Sequence, residues 1–151
     1  MPLTSLRTLF QRDIHNLYRE VEAYAKEEAL WKTAPEIKNS AGNLALHLIG
    51  NLNHYIGAQL GNTDYERDRA FEFHGKNVSK EKLLKDIEAT NQIVDQVLSQ
   101  LSPDKLIADY PIGVFNKKMT TEFFLIHLLG HLNYHLGQMN YHRRLLASSK
   151  P

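Results

Sequence analysis

His127-Leu-Leu-Gly130-His131-Leu-Asn-Tyr134-His135-Leu-Gly137-Gln138 carries three of the eight histidines of this 151-residue chain within nine positions. The stretch reads as one helix, its apolar residues recurring at three and four. Four residues along a helix are one turn plus roughly 40°, so His127 with His131, or His131 with His135, can converge on one ion. His127 and His135 lie roughly 12 Å apart along the axis, beyond the span of two bonds of about 2.1 Å to one metal. At most two of the three therefore serve a single site. A mononuclear centre needs another ligand from elsewhere.

Working outward, Thr120 can cap this fourth helix, with Met119 and Phe124 as a hydrophobic staple, and the pattern runs to about Leu146 before a tail at Ser148–Pro151. Helix one, about residues 4 to 30, places Leu6, Phe10, Ile14, Leu17 and Val21 on one stripe, with His15 beside it facing solvent. Trp31, Pro35 and Asn39 mark a loop. Ser40 caps helix two, about residues 41 to 60, whose stripe is Leu44, Leu48, Leu52 and Ile56 and whose end is Gly61. A second stripe on it is polar: Asn43, His47, Asn51 and His54. His47 and His54 are separated by roughly 10 Å of rise, so only one of them can serve a given ion.

Residues 62 to 78 read as a polar connection in which Arg67, Asp68, Arg69 and Glu72 are solvated or mutually paired, the alternative being that Arg67 or Arg69 holds an anionic ligand. His74 within it is expected to face solvent. Helix three starts at the Ser79 cap, with Val78 and Leu83 as its staple, and runs through Ile87, Val94, Val97, Leu98 and Leu101 to a break at Ser102-Pro103. Residues 104 to 119, with Pro111 and Gly113, predict a crossover loop containing a short extended piece. Four helical segments without a convincing strand predict an all-α four-helix bundle as a single domain over residues 1–151, with ligand sites in its core.

Composition narrows the chemistry. A chain of this length buries roughly 70% of its unfolded surface and needs no staples. The absence of cysteine excludes disulfides, thiolate metal sites and a cysteine nucleophile, and fits a reducing compartment. A net charge of +1 offers no field for nucleic acid or an acidic membrane. Neither a signal peptide nor a membrane span is apparent, so the expectation is a soluble, cytoplasmic protein. Neutral imidazoles suit zinc, nickel, copper or ferrous iron, and three protein ligands with an open position describe a catalytic zinc site. Ferritin-like di-iron chemistry requires Glu-x-x-His pairs, and no glutamate lies three before His47, His131 or His135. Haem attachment through Cys-x-x-Cys-His is equally absent.

Laid over residues 127 to 137, residues 47 to 57 match at six of eleven positions, which suggests two similar helical hairpins offset by 80. Gly50, Gly57, Gly130 and Gly137 each cost roughly 1 kcal/mol in a helix interior, so each is expected to admit a close neighbour or ligand.

The motif of residues 127–138, His-x-x-x-His followed by Gly-Gln, resembles the final-helix signature of the DinB-like superfamily. Gly42-Asn43-Leu-Ala-Leu-His47-Leu-Ile-Gly50-Asn51, followed by Arg67-Asp68-Arg69-Ala-Phe-Glu72-Phe73, resembles an uncharacterised branch of it. The resemblance implies a metal-binding bundle, frequently a homodimer, with His47, His131 and His135 as the ligands of one divalent ion, zinc or nickel. His127 then lies behind the ligands or packs, Gln138 orients a ligand, and His54 and His142 are not ligands. It further implies a metal-dependent transferase that activates a low-molecular-weight thiol such as bacillithiol or mycothiol, with Arg67 or Arg69 on a carboxylate. A metal-assisted hydrolase and a non-enzymatic, stress-related metal-binding bundle are the other readings.

Overall fold

A computed structural model describes residues 2–148. Helix α1 (Pro2–Ala23) packs on α4 (Lys80–Gln100) and on α6 (Thr121–Ser148). Helix α2 (Ala41–Leu52) fills the remaining quarter of the bundle and touches all three. Two short helices, α3 (Arg69–His74) and α5 (Pro103–Ile107), lie in the connections. Among the described residues, extended pairing is confined to isolated bridges, and no helix is long and apolar enough to cross a membrane. Of the tail expected at Ser148–Pro151, Ser148 is instead the last residue of α6, and residues 149–151 lie outside the described residues.

The apolar stripes form the core. Phe10, Ile14, Leu17 and Val21 of α1 share one buried cluster with Leu48 and Leu52 of α2, Ile56 just beyond it, Ile87, Val94 and Leu98 of α4, and Phe124, Leu128 and Leu132 of α6. Ser40 and Ser79 cap α2 and α4, accepting from the backbone N–H of Asn43 and Lys82. Thr120 does the same at Phe123 for α6.

Several boundaries differ from the sequence reading. Helix one stops at Ala23 rather than near residue 30, because Tyr24 is drawn into the core: its hydroxyl donates to the Met139 carbonyl at 2.8 Å, and its own carbonyl accepts from Lys80 Nζ. A 3-10 turn (Glu27–Trp31) follows. Helix two continues as a π-helical segment (Asn53–Ala58), at whose start Asn53 Nδ2 donates to the Ile49 carbonyl and to Thr90 Oγ1. Its left-handed cap is Asn62 (φ 52°), not Gly61. A β-carbon on Gly61 would overlap a Val97 methyl, so that glycine admits α4 instead.

The connection of residues 62–78 is not wholly irregular. Asp68 accepts from the Phe71 backbone N–H and nucleates α3, which lies against α2. Residues 104 to 119 hold α5, then a tight turn with Phe115 and Asn116 at φ 56° and 54°. The extended piece expected there is the pairing of Asp109 with Thr120 and of Val114 with Lys117.

Candidate metal centre

Residues 47 and 131 belong to facing helices, and residue 135 is one turn beyond 131, so the core-side faces of α2 and α6 bring three imidazoles together. His47 Nε2 and His135 Nε2 each lie 3.1 Å from His131 Nε2. The rings stand edge-on to one another, at interplanar angles of 76° to 90°. Nitrogens bound at about 2.1 Å to one ion, at angles of about 90–110°, lie roughly 3.0–3.4 Å apart. Among the described residues this is the single grouping of three His, Asp or Glu able to hold a metal ion.

The protonation pattern fits the same role. His47 Nδ1 is 2.9 Å from Glu72 Oε1, and His135 Nδ1 is 2.7 Å from Gln138 Oε1. Both oxygens are acceptors, so both rings carry the proton on Nδ1 and turn an Nε2 lone pair toward His131. Lone pairs facing each other at such distances require a proton or a cation between them. His131 Nδ1 is buried without a partner, which leaves this ring's tautomer free to follow whatever occupies the centre. Burial first, then the positive potential of His135, His47, His127 and Arg67, pushes His131 down to about 4. His135 is lowered as well, by burial, against the opposing effect of the hydrogen bond it donates to Gln138. These two rings are neutral at pH 7, the form that binds metal.

Glu72 is the residue that sequence reasoning did not single out. It lies 3% exposed beneath His47. Burial would raise its pKa, but hydrogen bonds from Arg67 and His47 outweigh that and hold the carboxyl below its ordinary range. Arg67 donates from Nε to Oε2 and from Nη2 to Oε1, both at 2.8 Å. Two features put Glu72 there. A β-carbon on Gly50 would overlap the carboxylate, so the glycine is the notch that receives it. Asn43 Nδ2 donates to the carbonyls of Glu72 (3.1 Å) and Gly75 (2.8 Å), pinning α3 to α2. The available signals were the close approach expected at Gly50 and the odd polar stripe containing Asn43. Replacing Asn43 with alanine should lower stability by roughly 1–3 kcal/mol, since two buried carbonyls lose their donor. Denaturant unfolding of the metal-free protein measures this, and an unchanged midpoint would refute the pinning.

The remaining candidates are placed as follows. His127 is exposed, with its ring between those of Phe115 (5.0 Å) and Phe124 (5.9 Å), and no hydrogen bond joins it to the triad. In the fold His47 joins the triad, whereas His127, its counterpart at the 80-residue offset, lies outside it. Arg69 is exposed and lies over the Phe73 ring. His54 packs against Tyr55, and His142 is buried nearer the end of α6, both outside the triad. Of the four glycines singled out, Gly50 admits Glu72 and a β-carbon on Gly57 would press on Ile93 and Thr63, but one on Gly130 or Gly137 would meet no neighbouring group within 4 Å. Close approach within the chain therefore does not explain the last two.

Comparison with known proteins agrees with this architecture. The chain is similar to a DinB-like protein of Bacillus cereus ATCC 10987 (20% identity, TM-score 0.71, covering 89% of this chain and 86% of that one). It is also similar to a DinB-like protein of Bacillus subtilis (17% identity, TM-score 0.70, covering 97% and 94%). No curated protein matches it. The model of the DinB superfamily matches residues 9–139, which include all three histidines of the triad, and the chain belongs to that superfamily.

Proposed function

We propose that this protein is a divalent-metal-dependent enzyme, with His47, His131 and His135 holding zinc or nickel, that transfers a low-molecular-weight thiol to a small electrophile. The convergence of three imidazole Nε2 atoms on one point carries this reading. A divalent ion held there would supply Lewis acidity that lowers the pKa of a thiol and favours its anion. The chain's own groups bear on the choice of nucleophile. Three imidazole ligands bring no negative charge, so an anionic fourth ligand is favoured. Both Glu72 oxygens are engaged by His47 and Arg67, so this carboxylate is not free to act as a base. A thiol near pKa 8.5 needs far less acidification than water at 15.7, which favours thiol transfer over hydrolysis. With no cysteine in the chain, the thiol must arrive as a cosubstrate.

Full-length protein loaded with zinc or nickel, offered an electrophile and a panel of small thiols, should form the thioether adduct. Turnover that survives complete metal removal would refute the proposal. Product formed without thiol would point to a hydrolase, and stoichiometric metal without turnover to a binding protein.

A homodimer through α6 is part of the same proposal. Phe123, Ile126, Tyr134, Tyr141 and Leu145 are 55–67% exposed along this helix, and the open Gly130 and Gly137 lie among them. Spacings of three and four put these residues on a common side, where glycines permit close helix approach. Ile126→Glu should convert a dimer to a monomer in light scattering. A monomeric wild type would remove the dimer proposal without touching the metal one.

A further inference from the structure

We infer that Arg67 and Glu72 form a clamp that holds His47 as its Nδ1–H tautomer and aims its Nε2 into the triad, making both positioning residues for metal capture. The inference rests on the metal reading for its consequence, while the tautomer itself is a property of the metal-free chain. A carboxylate only accepts, so its contact with His47 Nδ1 requires the ring to donate. The bidentate guanidinium leaves the carboxylate no freedom to swing away. The His47 ring is also confined by Phe73, 4.9 Å away between centroids, so it can neither flip nor tilt without displacing α3.

The three ligand rings differ in this respect. His135 is oriented by a neutral amide, and the His131 Nδ1 has no partner. Only His47 is oriented by an ionised group, itself buried and built in by the Gly50 notch and the Asn43 pin. Carboxylate partners of this kind raise the basicity of a ligating histidine and fix its direction. Arg67 tempers the effect: it cancels the Glu72 charge, so His47 is oriented without adding net negative charge to the centre. Arg67, whose Nε and Nη2 both face Glu72, thus serves the protein's own ligand rather than a substrate carboxylate. Glu72 stays on the Nδ1 side of the ring, away from the converging Nε2 atoms, and orients a ligand without being one.

The test uses the full-length protein and zinc as the probe. In metal-free wild type, imidazole ¹⁵N spectra should show His47 protonated at Nδ1; an Nε2–H tautomer there would overturn the clamp. Zinc affinity, read by competition with a chromophoric chelator, should fall 10–100-fold in Glu72→Gln. Asp95→Asn is the control, because it weakens the Arg7–Asp95 pair, which joins α1 to α4, two helices that carry neither the triad nor the clamp. If Glu72→Gln weakens zinc no more than Asp95→Asn does, the pair is a structural staple and the inference fails. Should Glu72→Gln not fold, Gly50→Ala, which crowds the carboxylate while leaving every polar group in place, must weaken zinc instead. If wild type binds neither zinc nor nickel, the metal reading falls, whereas the ¹⁵N spectra still decide the tautomer.

Discussion

Alanine in place of His131 is expected to abolish stoichiometric metal binding. This ring stands between the other two, 3.1 Å from each, so its removal leaves His47 and His135 without the nitrogen that links them. Four-ligand zinc sites are worth about 10–16 kcal/mol, or roughly 2.5–4 kcal/mol per ligand, which puts the expected loss on the order of 100- to 1000-fold in affinity. The fold should tolerate the change. His131 lies half-buried at the edge of the core with an unpartnered Nδ1, so truncation removes little packing and no hydrogen bond at that atom. Elemental analysis after dialysis and a thermal melt of the metal-free variant separate the two effects. Wild-type metal content in His131→Ala would rule out the triad as the site.

The second large effect is that of pH. In the folded chain His131 is held at about 4 and His135 below the usual imidazole range, whereas unfolded histidines titrate near 6.5. A depressed folded pKa means that the unfolded state takes up protons first as the solution is acidified. The stability of the metal-free protein should therefore be level above about pH 6.5 and decline as pH falls from there toward 4. His142, buried and likewise lowered by desolvation, adds to the same slope. Metal retention follows the same sign, since protons compete for His131 only as pH nears its folded value. Zinc-dependent stabilisation should persist to about pH 5 and collapse below it. Melts between pH 7 and 4, with and without zinc, measure both. A flat metal-free curve, or zinc held at pH 3, contradicts an all-histidine site of neutral rings.

Substitution at the clamp and substitution at the triad should differ in kind. Losing a ligand removes a bond, whereas losing Glu72 leaves every ligand in place and weakens the aim of one. A graded series, with His131→Ala below Glu72→Gln and both below wild type, is the signature of that hierarchy.

The bundle was legible because a helix leaves a periodic record. Leu6, Phe10, Ile14, Leu17 and Val21 recur at three and four, and all are buried. Rise per residue alone limits how many of His127, His131 and His135 can serve one ion, and the capping serines follow from orphaned backbone donors. Local pattern could not reveal contacts between distant segments. Helix one ends early because Tyr24 meets Met139, 115 residues away. Glu72 reads as one of several loop charges until α3 folds and the Gly50 notch admits it, 25 residues from its histidine. His127 reads as a near-equal of His131, yet tertiary packing turns it outward between two phenylalanine rings. Sequence alone determined which residue types were available and which helix faces they share, because those depend on composition and a 3.6-residue period. Only the tertiary structure decided which imidazoles converge and which carboxylate stands behind them, because both depend on how α2, α3 and α6 pack in space.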